Sequence, residues 1–210
     1  MKYKDFRNFR ITRSCNKQYK DYKSYIEYLA IDFKHRCAYC NMLDRIINEN
    51  FRIDHFIPQT VAKNNNMESL IYDYNNLVYC CPKCNSTKSS QYAGNIHDGT
   101  YNNQLFYNPV DTDYNDIFYR NEYGGISSED EKGKKMIINL KLFLPTYYFS
   151  FLIEEIEYTL KRIDRKLDSA CDSIQRKKYQ QAYFELNDFL MKIRDLFNCD
   201  YYNNSVKNAK

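Results

Sequence analysis

Two Cys-x-x-Cys pairs, Cys37 with Cys40 and Cys81 with Cys84, bracket an Asp54-His55 dipeptide. Each pair lets both sulfurs of one turn face one ion, and four soft thiolates are what a tetrahedral structural Zn²⁺ takes. Pro82 inside the second pair favours a tight knuckle. Cys80 adjoins Cys81, but only Cys81 has the x-x spacing to Cys84, so Cys81 is the expected ligand. Cys15, Cys171 and Cys199 are isolated and read as packing residues or surface thiols.

Between and beside the cysteines lie polar groups of a different kind. Hydrolysis of a phosphodiester at neutral pH requires deprotonation of a water, neutralisation of charge on the phosphoryl oxygens and stabilisation of the leaving 3′ oxygen. His55 suits the first task because an imidazole titrates near neutrality. Asp54 is a hard oxygen ligand for Mg²⁺ or Mn²⁺. Neighbours on a strand face opposite ways, but at a strand end Asp54 and His55 can both reach one site. Asn85 follows the last cysteine, where a helix should begin, and offers a carbonyl oxygen as a second metal ligand. Lys88, one turn on, is expected to face a phosphate.

The stretch 35–90 resembles the HNH endonucleases with a ββα-metal active site. The pattern is a strand ending in Asp54-His55, Pro58 three residues later, Asn76-Leu77, then Cys81-x-x-Cys84 followed by Asn85 and Lys88. The resemblance implies His55 as general base and Asp54 and Asn85 as ligands of a catalytic Mg²⁺ or Mn²⁺. Asn76 would orient the base and its loop; Asn75 competes for that role but does not directly precede the Leu. The last motif position is often His, so this is an HNN-type variant. The same resemblance gives Arg52 as a scissile-phosphate contact and a product with a 5′ phosphate. Through Phe106-x-Asn108-Pro109 and the tail after Gly133, the chain also resembles HNH proteins of bacterial anti-phage modules of the Septu and retron-associated type. His35 and His97 sit at no motif position.

Composition is compatible with this reading. Against 27 Asp and Glu stand 31 Lys and Arg, a net charge of +4, which permits a nucleic-acid partner without requiring one. The 22 Tyr and 13 Phe accompany an Asn, Lys and Ile excess typical of AT-rich coding, so they do not by themselves indicate base stacking. No apolar run approaches membrane length and the charged N-terminus is unlike a signal peptide, so a cytoplasmic location is expected. Eight cysteines in such a chain argue for metal binding rather than disulfides.

The elements that must hold these groups define an α+β fold. It comprises a small zinc-stabilised ββα-metal core, an N-terminal helix and a C-terminal antiparallel helical region. Residues 1–34 form a basic arm and a lead-in helix. The arm, with Arg7, Arg10 and Arg13 interleaved with Phe6 and Phe9, reads equally as a phosphate contact or as an extension pinned by two phenylalanines. Tyr22, Tyr25, Ile26, Leu29 and Phe33 have helical spacing. Residues 35–95 form the core, with strands expected at Ile46-Ile47 and 51–55 around Asn48-Glu49-Asn50, a loop at 63–66 and a short helix or turn over 67–76. Residues 96–135 are expected as turns, marked by Gly99, Pro109, Gly124 and Gly125, and short strands. Residues 136–200 form helices with two apolar stripes, Phe149, Leu152, Ile153, Ile156, Leu160, Ile163 and Leu167, then Tyr179, Ala182, Tyr183, Leu186, Phe189, Leu190, Ile193 and Phe197. Residues 201–210 are a polar tail. The run Lys161, Arg162, Arg165 and Lys166 reads as a solvated helix face before a nucleic-acid contact.

The expected function is a metal-dependent endonuclease acting on nucleic acid, DNA before RNA. The rival readings are a non-catalytic zinc-stabilised nucleic-acid-binding module, and a nuclease subunit that needs a partner. That partner would be an ATPase or other sensor, or a second copy, docked through the C-terminal helices.

Overall fold

The computed structural model describes residues 2–98, 100–170 and 172–203. Gly99, Cys171 and the tail from 204 onward lie outside the described residues. The chain divides into two compact units, Met1–Phe143 and Leu144–Lys210.

In the first unit, β1 (Lys2–Asp5) leads through a long irregular arm to a 3₁₀ turn at Tyr22–Tyr25 and α1 (Ile26–Asp32). The core hairpin is β2 (Arg52–His55) paired antiparallel with β3 (Leu77–Cys80), in the register Asp54 opposite Val78 and His55 opposite Leu77. Between these strands lie α2 (Gln59–Asn64), α3 (Ser69–Tyr72) and a 3₁₀ turn at Tyr74–Asn76. After β3 comes α4 (Pro82–Lys88). Then follow α5 (Tyr114–Ile117), β4 (Tyr119–Asn121), β5 (Ile126–Ser127) and α6 (Glu131–Asn139). β4 is the middle strand of a small antiparallel sheet, with β1 on one side and β5 on the other.

The ββα unit is present, but its first strand pairs differently from expectation. Residues 44–46 form a 3₁₀ turn, not a strand. The partner of β2 is β3, whose four residues are all buried. Such a strand shows no alternation of apolar and polar residues, so the sequence carries no periodic sign of it. Lys63 and Asn64, expected in a loop, close α2.

The arm is pinned by Phe6, one of the two phenylalanines expected to do so, and its arginines add to the pin. Phe6 is buried against Tyr114 and Phe118. Arg7 is buried too and donates from Nη2 to the Ala38 carbonyl at 2.8 Å. Arg13 donates to the carbonyls of Asn75 at 3.1 Å and Leu77 at 2.7 Å. Buried guanidiniums can offer several N–H groups to backbone carbonyls that strands and turns leave over. Arg10 stays exposed, paired with Asp113.

The second unit holds α7 (Pro145–Ser169), α8 (Ser173–Asn198) and a final turn at Cys199–Asn203. Glu157 pairs with Arg194 and Lys166 lies over the Tyr179 ring, which makes α7 and α8 antiparallel. Along α7 the inward positions are Ile153, Ile156, Leu160, Ile163 and Leu167; along α8 they are Tyr179, Tyr183, Leu186, Leu190, Ile193 and Phe197. Both series step by three and four, the seam of a coiled-coil pair. Ala182 and Phe189, expected on the stripe, are exposed, because they fall beside this seam rather than on it. Lys161, Arg162, Arg165 and Lys166 lie on the exposed side of α7.

Candidate active site

The first Cys-x-x-Cys turn follows α1, and the second begins α4. Cys81 caps that helix: its Sγ accepts the Cys84 N–H at 3.4 Å, and Pro82 takes the first helical position, where a missing N–H costs nothing. The sulfurs of Cys37, Cys40, Cys81 and Cys84 all lie within 4.8 Å of one another, and all four residues are buried. Burial raises every one of these thiols. Hydrogen bonds from neighbouring thiols nonetheless bring Cys37 well below its usual range and Cys81 to about 6, while Cys40 and Cys84 stay high. Four buried thiols converging within reach of one point form a donor set that a soft cation such as zinc completes. Cys80 stands outside the set of four, with its Sγ 4.0 Å from that of Cys37.

The flanking segments hold this knuckle by its carbonyls. Arg7 bonds the Ala38 carbonyl, and Arg120, on β4, donates to that of Cys40 at 3.3 Å. The Ala38 N–H donates to the Tyr79 carbonyl at 2.8 Å, which fixes the knuckle to β3.

Asp54 and His55 end β2 and are both buried. His55 faces α3, with Nε2 3.0 Å from the Ile71 carbonyl and Nδ1 3.3 Å from the amide nitrogen of Gln59. A carbonyl only accepts, so the neutral ring carries its proton on Nε2 and its Nδ1 lone pair accepts from the Gln59 amide. The Tyr22 ring meets the imidazole edge-on at a centroid distance of 4.7 Å. Burial is the largest influence on the His55 pKa and lowers it below the ordinary 6.5; the Ile71 bond and the Asp54 charge oppose this, and Lys88 adds to it.

Asp54 faces the other way. Its Oδ2 accepts from the Tyr39 hydroxyl at 2.6 Å and from Lys88 Nζ at 3.1 Å, and Oδ1 lies 3.3 Å from the same ammonium. Lys88 Nζ also donates to the His55 carbonyl at 2.7 Å. Lys88 is therefore fully buried. It was expected to face a phosphate; instead its charge is spent inside the protein on Asp54. The reason is position: Lys88 is on the turn of α4 that packs against β2.

Asn76 is fully buried and has every polar atom engaged. Its Oδ1 accepts the Ile57 N–H at 2.8 Å, and its Nδ2 donates to the carbonyls of Ile57 at 3.0 Å and Leu70 at 2.9 Å. It staples the turn after His55 to the segment that presents the Ile71 carbonyl. It does not line the cleft. Asn75, its competitor for the role, is exposed.

Asp54 and His55 border one cleft of about 750 Å³, together with Asn85, Arg52, Gln59, Tyr22, Lys23, Ser86, Ser89 and Ser90. Asn85 is half-buried, and its side chain makes no hydrogen bond to the described residues. Arg52 is exposed at the cleft. The lone pairs that Tyr39 and Lys88 leave on Asp54, with the unengaged Asn85 carbonyl, are oxygen donors suited to a hard divalent cation. Ser89, which ends α4, sits at φ 48°, a strained backbone for a residue other than glycine. His35 pairs with Asp44 at 2.9 Å and is absent from the cleft lining.

Sequence reasoning missed Tyr39, Gln59 and Tyr22. Gln59 follows His55 by four residues, and Tyr39 lies inside the first knuckle, but neither spacing signals a contact that only folding makes.

Residues 37–91 match the model of the HNH endonuclease family. The matched stretch runs from the first knuckle cysteine to just past α4 and includes both Cys pairs, Asp54, His55, Asn76 and Asn85. No curated protein and no solved structure matches the chain. An HNH domain implies a nuclease acting on nucleic acid with the help of a metal ion. Among the described residues no helix is long and apolar enough to cross a membrane.

Proposed function

We propose that the chain is an HNH endonuclease that hydrolyses phosphodiester bonds in DNA, with a structural Zn²⁺ on Cys37, Cys40, Cys81 and Cys84. The observation that carries the reading is the His55 ring, whose Nε2 is committed to Ile71 and whose Nδ1 lone pair borders the cleft shared with Asp54 and Asn85.

In this reading His55 Nδ1 accepts a proton from a water in the cleft, in competition with the Gln59 amide. The resulting hydroxide attacks phosphorus in line, the bond from phosphorus to the 3′ oxygen breaks, and the departing oxygen takes a proton from solvent water. The products are a 5′ phosphate and a 3′ hydroxyl. Asp54 and Asn85 would hold a hard divalent cation, Mg²⁺ or Mn²⁺, which would supply positive charge to offset the negative charge developing in the reaction. Arg52, exposed at the cleft, meets the substrate phosphate. Asn76 acts through the loop it staples. Nothing in the sequence of steps uses a 2′ hydroxyl, so DNA is a competent substrate.

The test is nicking of supercoiled plasmid by zinc-loaded protein with Mg²⁺ or Mn²⁺, beside the His55→Ala variant and a single-stranded RNA. Wild type should cut DNA to 5′-phosphorylated ends. Loss of a general base lowers rate by about 10²- to 10⁴-fold, so the variant should be nearly silent. A variant as active as wild type removes His55 from its role. Cleavage of the RNA alone reassigns the substrate. DNA binding without cleavage under every metal favours a zinc-stabilised binding module.

A further inference from the structure

We propose that Tyr39 is a positioning residue that ties the four-cysteine metal site to Asp54, so that the structural ion sets the pose of the carboxylate that holds the second metal. The proposal rests on the reading of Asp54 as a ligand of that metal.

Two donors grip Asp54, and each hangs from a different half of the cysteine site. Tyr39 lies between Cys37 and Cys40. Lys88 closes the helix that Cys81 caps and Cys84 belongs to. A cation bridging the two cysteine pairs therefore fixes both donors relative to each other, and Asp54 sits where they converge.

The Tyr39 turn has little freedom to move. Its flanking carbonyls are held by Arg7 and Arg120, its Ala38 N–H by Tyr79, and the Cys37 N–H donates to the Met42 carbonyl at 2.9 Å. The tyrosine itself is wholly buried. A phenylalanine would fill the same space, and burying a hydroxyl costs free energy unless it is bonded. The bond at 2.6 Å is to Asp54 Oδ2. Loss of a group that orients a metal-binding side chain typically costs about 10- to 100-fold in metal affinity or activity.

The test compares zinc-loaded wild type, Tyr39→Phe and Asp54→Asn by zinc content, Mn²⁺ binding followed by electron paramagnetic resonance, and the Mn²⁺ dependence of plasmid nicking. Tyr39→Phe should retain one zinc per chain and bind Mn²⁺ about tenfold more weakly. Its half-activating Mn²⁺ concentration should rise by more than its maximal rate falls. Asp54→Asn should lose the Mn²⁺ site. If Asp54→Asn binds Mn²⁺ like wild type, the reading of Asp54 falls, and this proposal falls with it. If Asp54→Asn loses Mn²⁺ and Tyr39→Phe does not weaken it, the proposal alone is overturned. Should Tyr39→Phe fail to fold, wild type with Co²⁺ on the four cysteines supplies the decision. Its thiolate-to-cobalt bands should shift as Mg²⁺ fills the second site, and bands that stay fixed overturn the proposal.

Discussion

Nε2 of His55 and the carbonyl oxygen of Ile71 stand 3.0 Å apart, and this one bond decides which imidazole nitrogen can act as a base. With Nε2–H committed, Nδ1 is the basic atom at the cleft. Burial lowers the pKa of the ring in the fold below its ordinary 6.5. Between the lowered value and 6.5 the unfolded chain binds more proton than the folded one. The contribution of His55 to stability is thus complete above 6.5 and is lost as pH falls through the folded value. An NMR titration of the zinc-loaded protein without a second metal should give a His55 midpoint below 6.5. The acid limb of the cleavage profile should fall in the same range. A midpoint above 6.5 contradicts the burial argument.

Asn76 illustrates how positioning differs from contact. Its two hydrogen bonds to Ile57 are buried and the one to Leu70 is partly so, and a buried group left unpaired costs about 1–3 kcal/mol. Asn76→Ala should lower stability to urea by at least that much while zinc content is kept. Asn76→Asp should do no better, since a carboxylate cannot donate to the Ile57 and Leu70 carbonyls. Both variants should slow cleavage by disturbing the Ile71 carbonyl that fixes the base. An Asn76→Asp protein as stable as wild type would contradict this account.

How legible this was from sequence depends on the kind of information each residue carries. The cysteine pairs were readable because the x-x spacing is local geometry, set within one turn. The strand end at Asp54-His55 was readable for the same reason, whereas the helix expected to begin at Asn85 begins about one turn earlier, at Pro82. β3 was not readable, because four consecutive buried residues erase the alternation that marks a strand. The seam of α7 and α8 was legible in its period but not at its margins, where Phe189 has an apolar type and an exposed place. Arg7, Arg13 and Lys88 look like surface cations in any one-dimensional reading. Their carbonyl and carboxylate partners lie 31 to 64 residues away.

Lys88 gives the sharpest contrast between the two descriptions. A phosphate contact would make Lys88→Met a substrate-affinity variant with unchanged stability. The buried pair with Asp54 predicts the opposite emphasis. Removing one member of a buried ion pair strands the other charge and costs about 3–5 kcal/mol. Urea unfolding of Lys88→Met should show a loss of that order. Adding Asp54→Asn to it should restore part of the loss, because the stranded charge is then gone. A Lys88→Met protein of wild-type stability would return Lys88 to the substrate.

Cys80 and Cys81 are neighbours, but the fold gives them different tasks. Cys81 caps α4 and completes the buried set with Cys37, Cys40 and Cys84, while Cys80 belongs to β3, where it pairs with Arg52. Cys80→Ser should therefore keep one metal ion per chain, and Cys81→Ser should lose it. Because binding of a structural ion is coupled to folding, loss of the ion should also lower the unfolding temperature of the first unit steeply. A strong chelator added to wild type should reproduce the Cys81→Ser unfolding curve, and Cys80→Ser should respond to the chelator as wild type does. Metal content by mass spectrometry and unfolding followed by circular dichroism check both halves. Loss of the ion from Cys80→Ser rather than Cys81→Ser would move the fourth ligand one residue back along the chain, onto β3.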